Sequence, residues 1–94
     1  MKLLLDRGAN IEEKNNYGYT PIHCAAVKGH TDTVELLLDR GANIEEKTND
    51  GNTPIHWAAY RGQTDTVKLL LDRGADPYIT NKEEKTARDL DRTG

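Results

Sequence analysis

An all-α solenoid is the fold this sequence predicts, with antiparallel helix pairs stacked side by side and joined by hairpin-like loops. Three observations carry that expectation. The stretch Leu3-Leu4-Leu5-Asp6-Arg7-Gly8-Ala9 returns at residues 36–42 and 69–75, which sets a period of 33 residues. A fixed period in this range marks one supersecondary unit stacked on copies of itself, each too small to bury its apolar face alone. Within each period two helix starts and two glycine stops recur in the same order, and the segments between them lack helical spacing.

In chain order, residues 1–7 carry the first leucine triplet and read as the second helix of a unit. Residues 11–19 lack helical periodicity, and Asn16-Tyr17-Gly18 reads as a tight turn in which glycine allows positive φ. Thr20-Pro21 then starts a helix, with a hydroxyl available for the open amides and a proline where its missing N–H costs nothing. Gly29 ends it. A second helix runs from Thr31 through Val34 and the leucine triplet to Gly41. The next period repeats the pattern: a turn at Asn49-Asp50-Gly51, a start at Thr53-Pro54, a stop at Gly62, a start at Thr64-Asp65 and a stop at Gly74.

These residues resemble an ankyrin repeat. Thr20-Pro21-Ile22-His23 and Thr53-Pro54-Ile55-His56 are similar to that family's Thr-Pro-Leu-His signature and recur at its period, with Leu69-Leu70-Leu71-Asp72-Arg73-Gly74-Ala75-Asp76 behind the second. The resemblance implies an L-shaped section with loops projecting at right angles from the helices. It also implies that His23 and His56 hydrogen-bond within the Thr-Pro-x-His turn and tie each helix to its loop.

The repeat register divides one domain over residues 1–94 into a C-terminal half repeat at 1–14, full repeats at 15–47 and 48–80, and an N-terminal half repeat at 81–94. The chain thus begins in mid-repeat. In the last half, Lys85-Thr86-Ala87-Arg88-Asp89-Leu90 resembles the family's degenerate terminal form, and Glu84 replaces the turn glycine. That exchange is unexpected, because positive φ is uncommon for other residues. Arrays need about three units for a continuous core, so stability should be modest. Either the chain is an excerpt of a longer array, or residues 1–7 of one molecule complete residues 87–92 of the next, head to tail.

Composition narrows the function. The 94 residues have the size of one small domain. With 31% charged residues, a net charge of −3 and a pI near 5.5, no basic surface for nucleic acid is expected. No apolar run approaches the roughly 20 residues that span a bilayer, and the apolar stretch at the start is too short for a signal peptide. The expectation is a cytosolic or nuclear protein with no membrane partner. Cys24 is the single cysteine, so no internal disulfide can form, which fits a reducing compartment.

No reaction centre is expected. His23 and Cys24 are adjacent, and neighbours on a helix point about 100° apart with no third group spaced to orient them. His23, Cys24 and His30 lack the paired spacings of a zinc site. His30 stands where Gln63 stands one period later and reads as a helix-entry residue. Glu12-Glu13 and Glu45-Glu46 recur at the period, as solvated or structural loop positions would, and no glycine loop is left over to cradle a phosphate. The reading is of a non-enzymatic protein with no cofactor and no metal.

What remains is a recognition surface. The two complete units share their glycines, Thr-Pro-Ile-His, alanine pairs and leucine triplets and differ elsewhere. Tyr19 becomes Asn52, Cys24 becomes Trp57, Val27 becomes Tyr60, Lys28 becomes Arg61, and Asn16-Tyr17 becomes Asn49-Asp50. The family resemblance places these turn tips and first-helix positions along a concave groove for a partner protein. The expected partner-binding residues are Asn16, Tyr17, Tyr19, Val27, Lys28, Asn49, Asp50, Asn52, Trp57, Tyr60 and Arg61. Tyrosine, tryptophan and arginine dominate interface energetics, although Trp57 equally suits packing between units and Tyr17 and Tyr19 equally suit a solvated turn. Tyr78 and Ile79 are expected to pack on the final half unit.

Two units supply about half of the roughly 800 Å² per partner of a standard complex, which predicts weak affinity through a stiff surface. The expected partner is a protein segment carrying apolar and acidic groups, the latter for Lys28 and Arg61. The alternative reading is a structural spacer within a longer array, with no partner of its own.

Overall fold

A computed structural model describes residues 14–90. Its helices are α1 (Pro21–Lys28), α2 (Thr31–Asp39), α3 (Pro54–Tyr60), α4 (Thr64–Asp72) and α5 (Ala87–Leu90). Residues 1–13 and 91–94, and with them the expected helix at 1–7, Glu12-Glu13 and part of the head-to-tail contact, lie outside the described residues. Helices α1 and α2 pack as one pair and α3 and α4 as the next. An inner layer of α1, α3 and α5 therefore lies against an outer layer of α2 and α4. No strand occurs among the described residues, and no helix there is long and apolar enough to cross a membrane.

Both inner helices begin at the expected Thr-Pro step, with the threonine in extended backbone and proline in the first turn. The histidine three residues on closes a capping box with the threonine: His23 Nδ1 accepts the Thr20 N–H at 3.0 Å and His56 Nδ1 accepts the Thr53 N–H at 3.0 Å, while each threonine side chain faces the backbone N–H of its histidine. In α5 the same place is taken by Asp89, whose carboxylate accepts the Thr86 N–H at 3.0 Å while its own N–H donates to the Thr86 hydroxyl at 3.2 Å. Donation to the carboxylate from the Thr86 N–H, and then from the Thr86 side chain, holds the Asp89 carboxyl below the usual carboxylate range. The outer helices start at Thr31 and Thr64, entered through His30 and Gln63.

The core is small and consists of side chains that repeat. Ile22, Val34, Leu37, Ile55 and Leu70 are buried, and Ala25, Ala26, Ala58 and Ala59 let the inner helices approach closely. Each large member contributes about 1.5–3 kcal/mol by burial. The two described leucine triplets divide by helical geometry: Leu37 and Leu70, the middle leucines, are fully buried, while Leu36, Leu38 and Leu69 pack at the edge.

Successive units are joined by polar bonds at nearly constant steps. Asn49 N–H donates to the Tyr17 carbonyl at 3.1 Å and Lys82 N–H to the Asp50 carbonyl at 3.0 Å, so the turn tips are linked. Behind them Gln63 Nε2 donates to the Val27 carbonyl at 3.0 Å, the Thr31 and Thr66 hydroxyls lie 2.9 Å apart, and Arg73 bonds Asp39 at 2.9 Å.

The turn at Glu84 keeps the geometry of the turns at Gly18 and Gly51. Glu84 takes φ 62°, and the Asn81 carboxamide oxygen accepts the Glu83 and Lys85 N–H groups as Asn15 does for Tyr17 and Tyr19. Four bonds centred on Asn81 therefore hold a side chain where glycine fits best. Glu84→Gly is expected to raise stability by about 0.5–1 kcal/mol, since relief of the left-handed strain exceeds the added entropy of the unfolded chain. The check is a higher urea midpoint, and an unchanged or lower one contradicts it.

Candidate functional site

The turn tips and inner helices carry a line of aromatic rings. Tyr17 at the first tip lies edge-on to Tyr19, with centroids 6.4 Å apart. Tyr19 meets Trp57 of the next unit at 5.3 Å, and Trp57 lies edge-on to Tyr60, one helical turn along α3, at 6.0 Å. Such pairs add about 0.5–1.5 kcal/mol beyond area burial. Tyr17 is 70% exposed and Tyr60 40%, so the line is anchored at Trp57 and opens to solvent at its ends. The Trp57 indole N–H is buried and has no hydrogen-bond partner among the described residues. Burial, the nearby Asp50 carboxylate and Cys24 raise the Tyr19 phenol above its ordinary pKa.

Beside this line runs an open groove of about 420 Å³. Asp50, Asn52, Trp57 and Tyr60 form one wall, and Asn81, Lys82, Glu83 and Leu90 form the other. Four expected partner-binding residues thus line the groove, and Tyr17 and Tyr19 join it through ring contacts. Asn16 and Asn49 are exposed at adjacent turn tips, where Asn49 Nδ2 donates to the Asn16 backbone carbonyl at 3.2 Å, and neither lines the groove. Val27 is half-buried, while Lys28 and Arg61 lie exposed at the C-terminal ends of α1 and α3. None of these three lines the groove.

The second wall was not singled out from the sequence, although its signal is present. Leu90 stands one period after Trp57, and Lys82 and Glu83 one period after Asn49 and Asp50. Tyr78 departs from expectation in the other direction: it is 67% exposed rather than packed, because no described residue covers its position. Ile79 is half-buried.

Both nitrogens of each buried imidazole are engaged. His23 Nε2–H donates to the Glu46 carbonyl at 2.7 Å and His56 Nε2–H to the Lys85 carbonyl at 3.1 Å, with Nδ1 occupied by the cap amide. Neither ring has a lone pair to offer Cys24, a half-buried thiol. Among the described residues no group of histidine, cysteine and carboxylate side chains is arranged to hold a metal. The arrangement offers shape, aromatic surface and hydrogen-bonding edges.

The family model for ankyrin repeats matches residues 1–81 as three copies. No curated protein matches the chain. Ankyrin repeats are in general protein–protein interaction modules and typically lack enzymatic activity. The match spans most of the chain, and the Thr-Pro-x-His caps, paired helices and linked turn tips agree with it. This protein belongs to the ankyrin repeat family.

Proposed function

We propose that the groove along Trp57 and Tyr60 binds a segment of a partner protein, without catalysis. The observation that carries this reading is the continuous aromatic line from Tyr17 to Tyr60 beside an open cleft of about 420 Å³. Rings held by one another lose little rotamer freedom on binding, so contact area is gained at low entropic cost. The Trp57, Tyr60 and Leu90 surfaces suit an apolar side chain of the segment, and acidic groups beyond the cleft reach Lys28 and Arg61. The half-buried thiol of Cys24 supports a reducing compartment, the cytosol or nucleus.

Trp57 is the single tryptophan of the chain and reports on the groove directly. Peptides selected by display against the protein are expected to change its fluorescence on binding. Tyr60→Ala combined with Arg61→Ala should weaken them by about tenfold or more, the loss typical of a central anchor. Selected peptides that bind the double variant as tightly as the parent would overturn the groove assignment and favour the spacer reading.

A further inference from the structure

The two junctions between units differ where the inner helices meet their turns. At the first, Tyr19 and Trp57 fill that space, with ring centroids 5.3 Å apart. At the second, Asn52 stands one period after Tyr19 and Leu90 one period after Trp57, and the space is the groove of about 420 Å³. Two smaller side chains at matched positions thus open it. Asn52 is also turned to its neighbour, its side-chain oxygen accepting the Asn81 amide at 2.7 Å. Trp57 belongs to both junctions: it meets Tyr19 across the first and lines the groove at the second. A carboxylate recurs as well. Asp50 acts on the Tyr19 phenol, and its counterpart Glu83 is exposed on the groove wall.

We propose that the partner segment bound in the groove places a tyrosine against Trp57, at the position Tyr19 holds one unit earlier, with its hydroxyl donating to the Glu83 carboxylate. This rests on the groove reading above and names its anchor. The first junction supplies the template, a ring packed on the same tryptophan at the same place in the repeat. Trp57 and Leu90 offer apolar walls to such a ring. Charge selects among the alternatives. The Asp50 and Glu83 carboxylates repel an acidic anchor, and Lys82 beside Glu83 disfavours a cationic one. A neutral ring carrying a hydroxyl donor meets both conditions. Asp91-Arg92-Thr93-Gly94, which follow Leu90, contain no aromatic side chain to take that place.

Peptides selected by display on the full chain, and weakened by Tyr60→Ala with Arg61→Ala, test this. A tyrosine is expected at their anchor position, and its change to alanine in the peptide should weaken binding by about tenfold or more. Its change to phenylalanine should cost about fivefold, a difference that Glu83→Ala in the protein removes. Asn52→Tyr fills the groove from within and should weaken the peptides by about tenfold or more, with far-UV circular dichroism unchanged. Leu90→Trp fills it from the other wall and should do the same. Asn52→Ala loses the Asn81 bond without filling the space and should leave affinity nearly unaltered. Groove-bound peptides anchored by leucine or arginine overturn the tyrosine assignment while the groove reading stands. So does equal affinity for the parent, Asn52→Tyr and Leu90→Trp. A selection that yields no peptide sensitive to Tyr60→Ala with Arg61→Ala overturns both.

Discussion

His23→Ala is expected to lower stability by about 3–5 kcal/mol, a large share of the roughly 5–15 kcal/mol that holds a domain folded. The imidazole is fully buried and joins the start of α1 to the loop at Glu46, where the other tie among the described residues is the half-exposed Lys14–Glu46 ion pair at 3.0 Å. Its Nδ1 takes the Thr20 N–H and its Nε2–H meets the Glu46 carbonyl, 23 residues along the chain. Removing the ring leaves a donor and an acceptor unpaired, about 1–3 kcal/mol each, and opens a cavity beside Ile22 and Ala26. A urea midpoint equal to the parent's would refute the assigned role.

The same geometry fixes a pH dependence. Because Nδ1 accepts, each ring is the neutral Nε2–H tautomer, and protonation would turn a donor against the cap amide. Burial holds the pKa of both His23 and His56 below the ordinary 6.5, against the opposing pull of the Glu46 and Lys85 carbonyls. Below about pH 6.5 the unfolded chain therefore binds protons that the folded chain refuses, and stability falls with pH down to the folded-state values. The slope is at most about 1.4 kcal/mol per pH unit for each histidine. His23→Gln keeps an acceptor at the cap position without titrating there. Its slope between pH 6.5 and 5 should be about half the parent's, and an equal slope excludes the mechanism.

The helix pairs were legible because their signals are local. Thr-Pro starts and glycine stops act within a turn or two, and the period repeats them often enough to fix the register. The acceptors of His23 and His56 were not legible, since Glu46 and Lys85 offer only backbone carbonyls and carry no side-chain signature. Glu84 shows why a local rule can yield: the bonds around Asn81 over-determine the turn, so an unfavourable residue follows its neighbours. In the groove, Tyr19 and Trp57 meet across units while occupying different places within them. Comparison of equivalent positions therefore finds each residue and misses the contact. His30 reads as a helix-entry residue by its correspondence to Gln63, and that correspondence does not reveal that the Gln63 side chain reaches back to the Val27 carbonyl.

Gly18→Ala is expected to cost about 2–4 kcal/mol, while Gly41→Ala costs about 1 kcal/mol. Both glycines have positive φ, 82° and 95°, so both alanines bear the left-handed penalty. They differ in surroundings. A Cβ on Gly41 meets no described residue within 4 Å, whereas one on Gly18 would lie 2.6 Å from Asn49 Oδ1 and 2.9 Å from the Asn49 backbone nitrogen. The side-chain oxygen can rotate away, but the amide cannot, because it donates to the Tyr17 carbonyl and sets the spacing of the turn tips. Relief must come from parting the first tip from the second, which breaks that bond and the Asn49 bond to Asn16. Tyr17 and Tyr19 move with the first tip, so the line of four rings loses its junction at Trp57. Gly18→Ala should therefore weaken groove-directed peptides as well as lower the urea midpoint, and Gly41→Ala should do only the second. Equal midpoints for the two variants, or equal peptide affinities, would mean that the turn tips are not interlocked through Asn49.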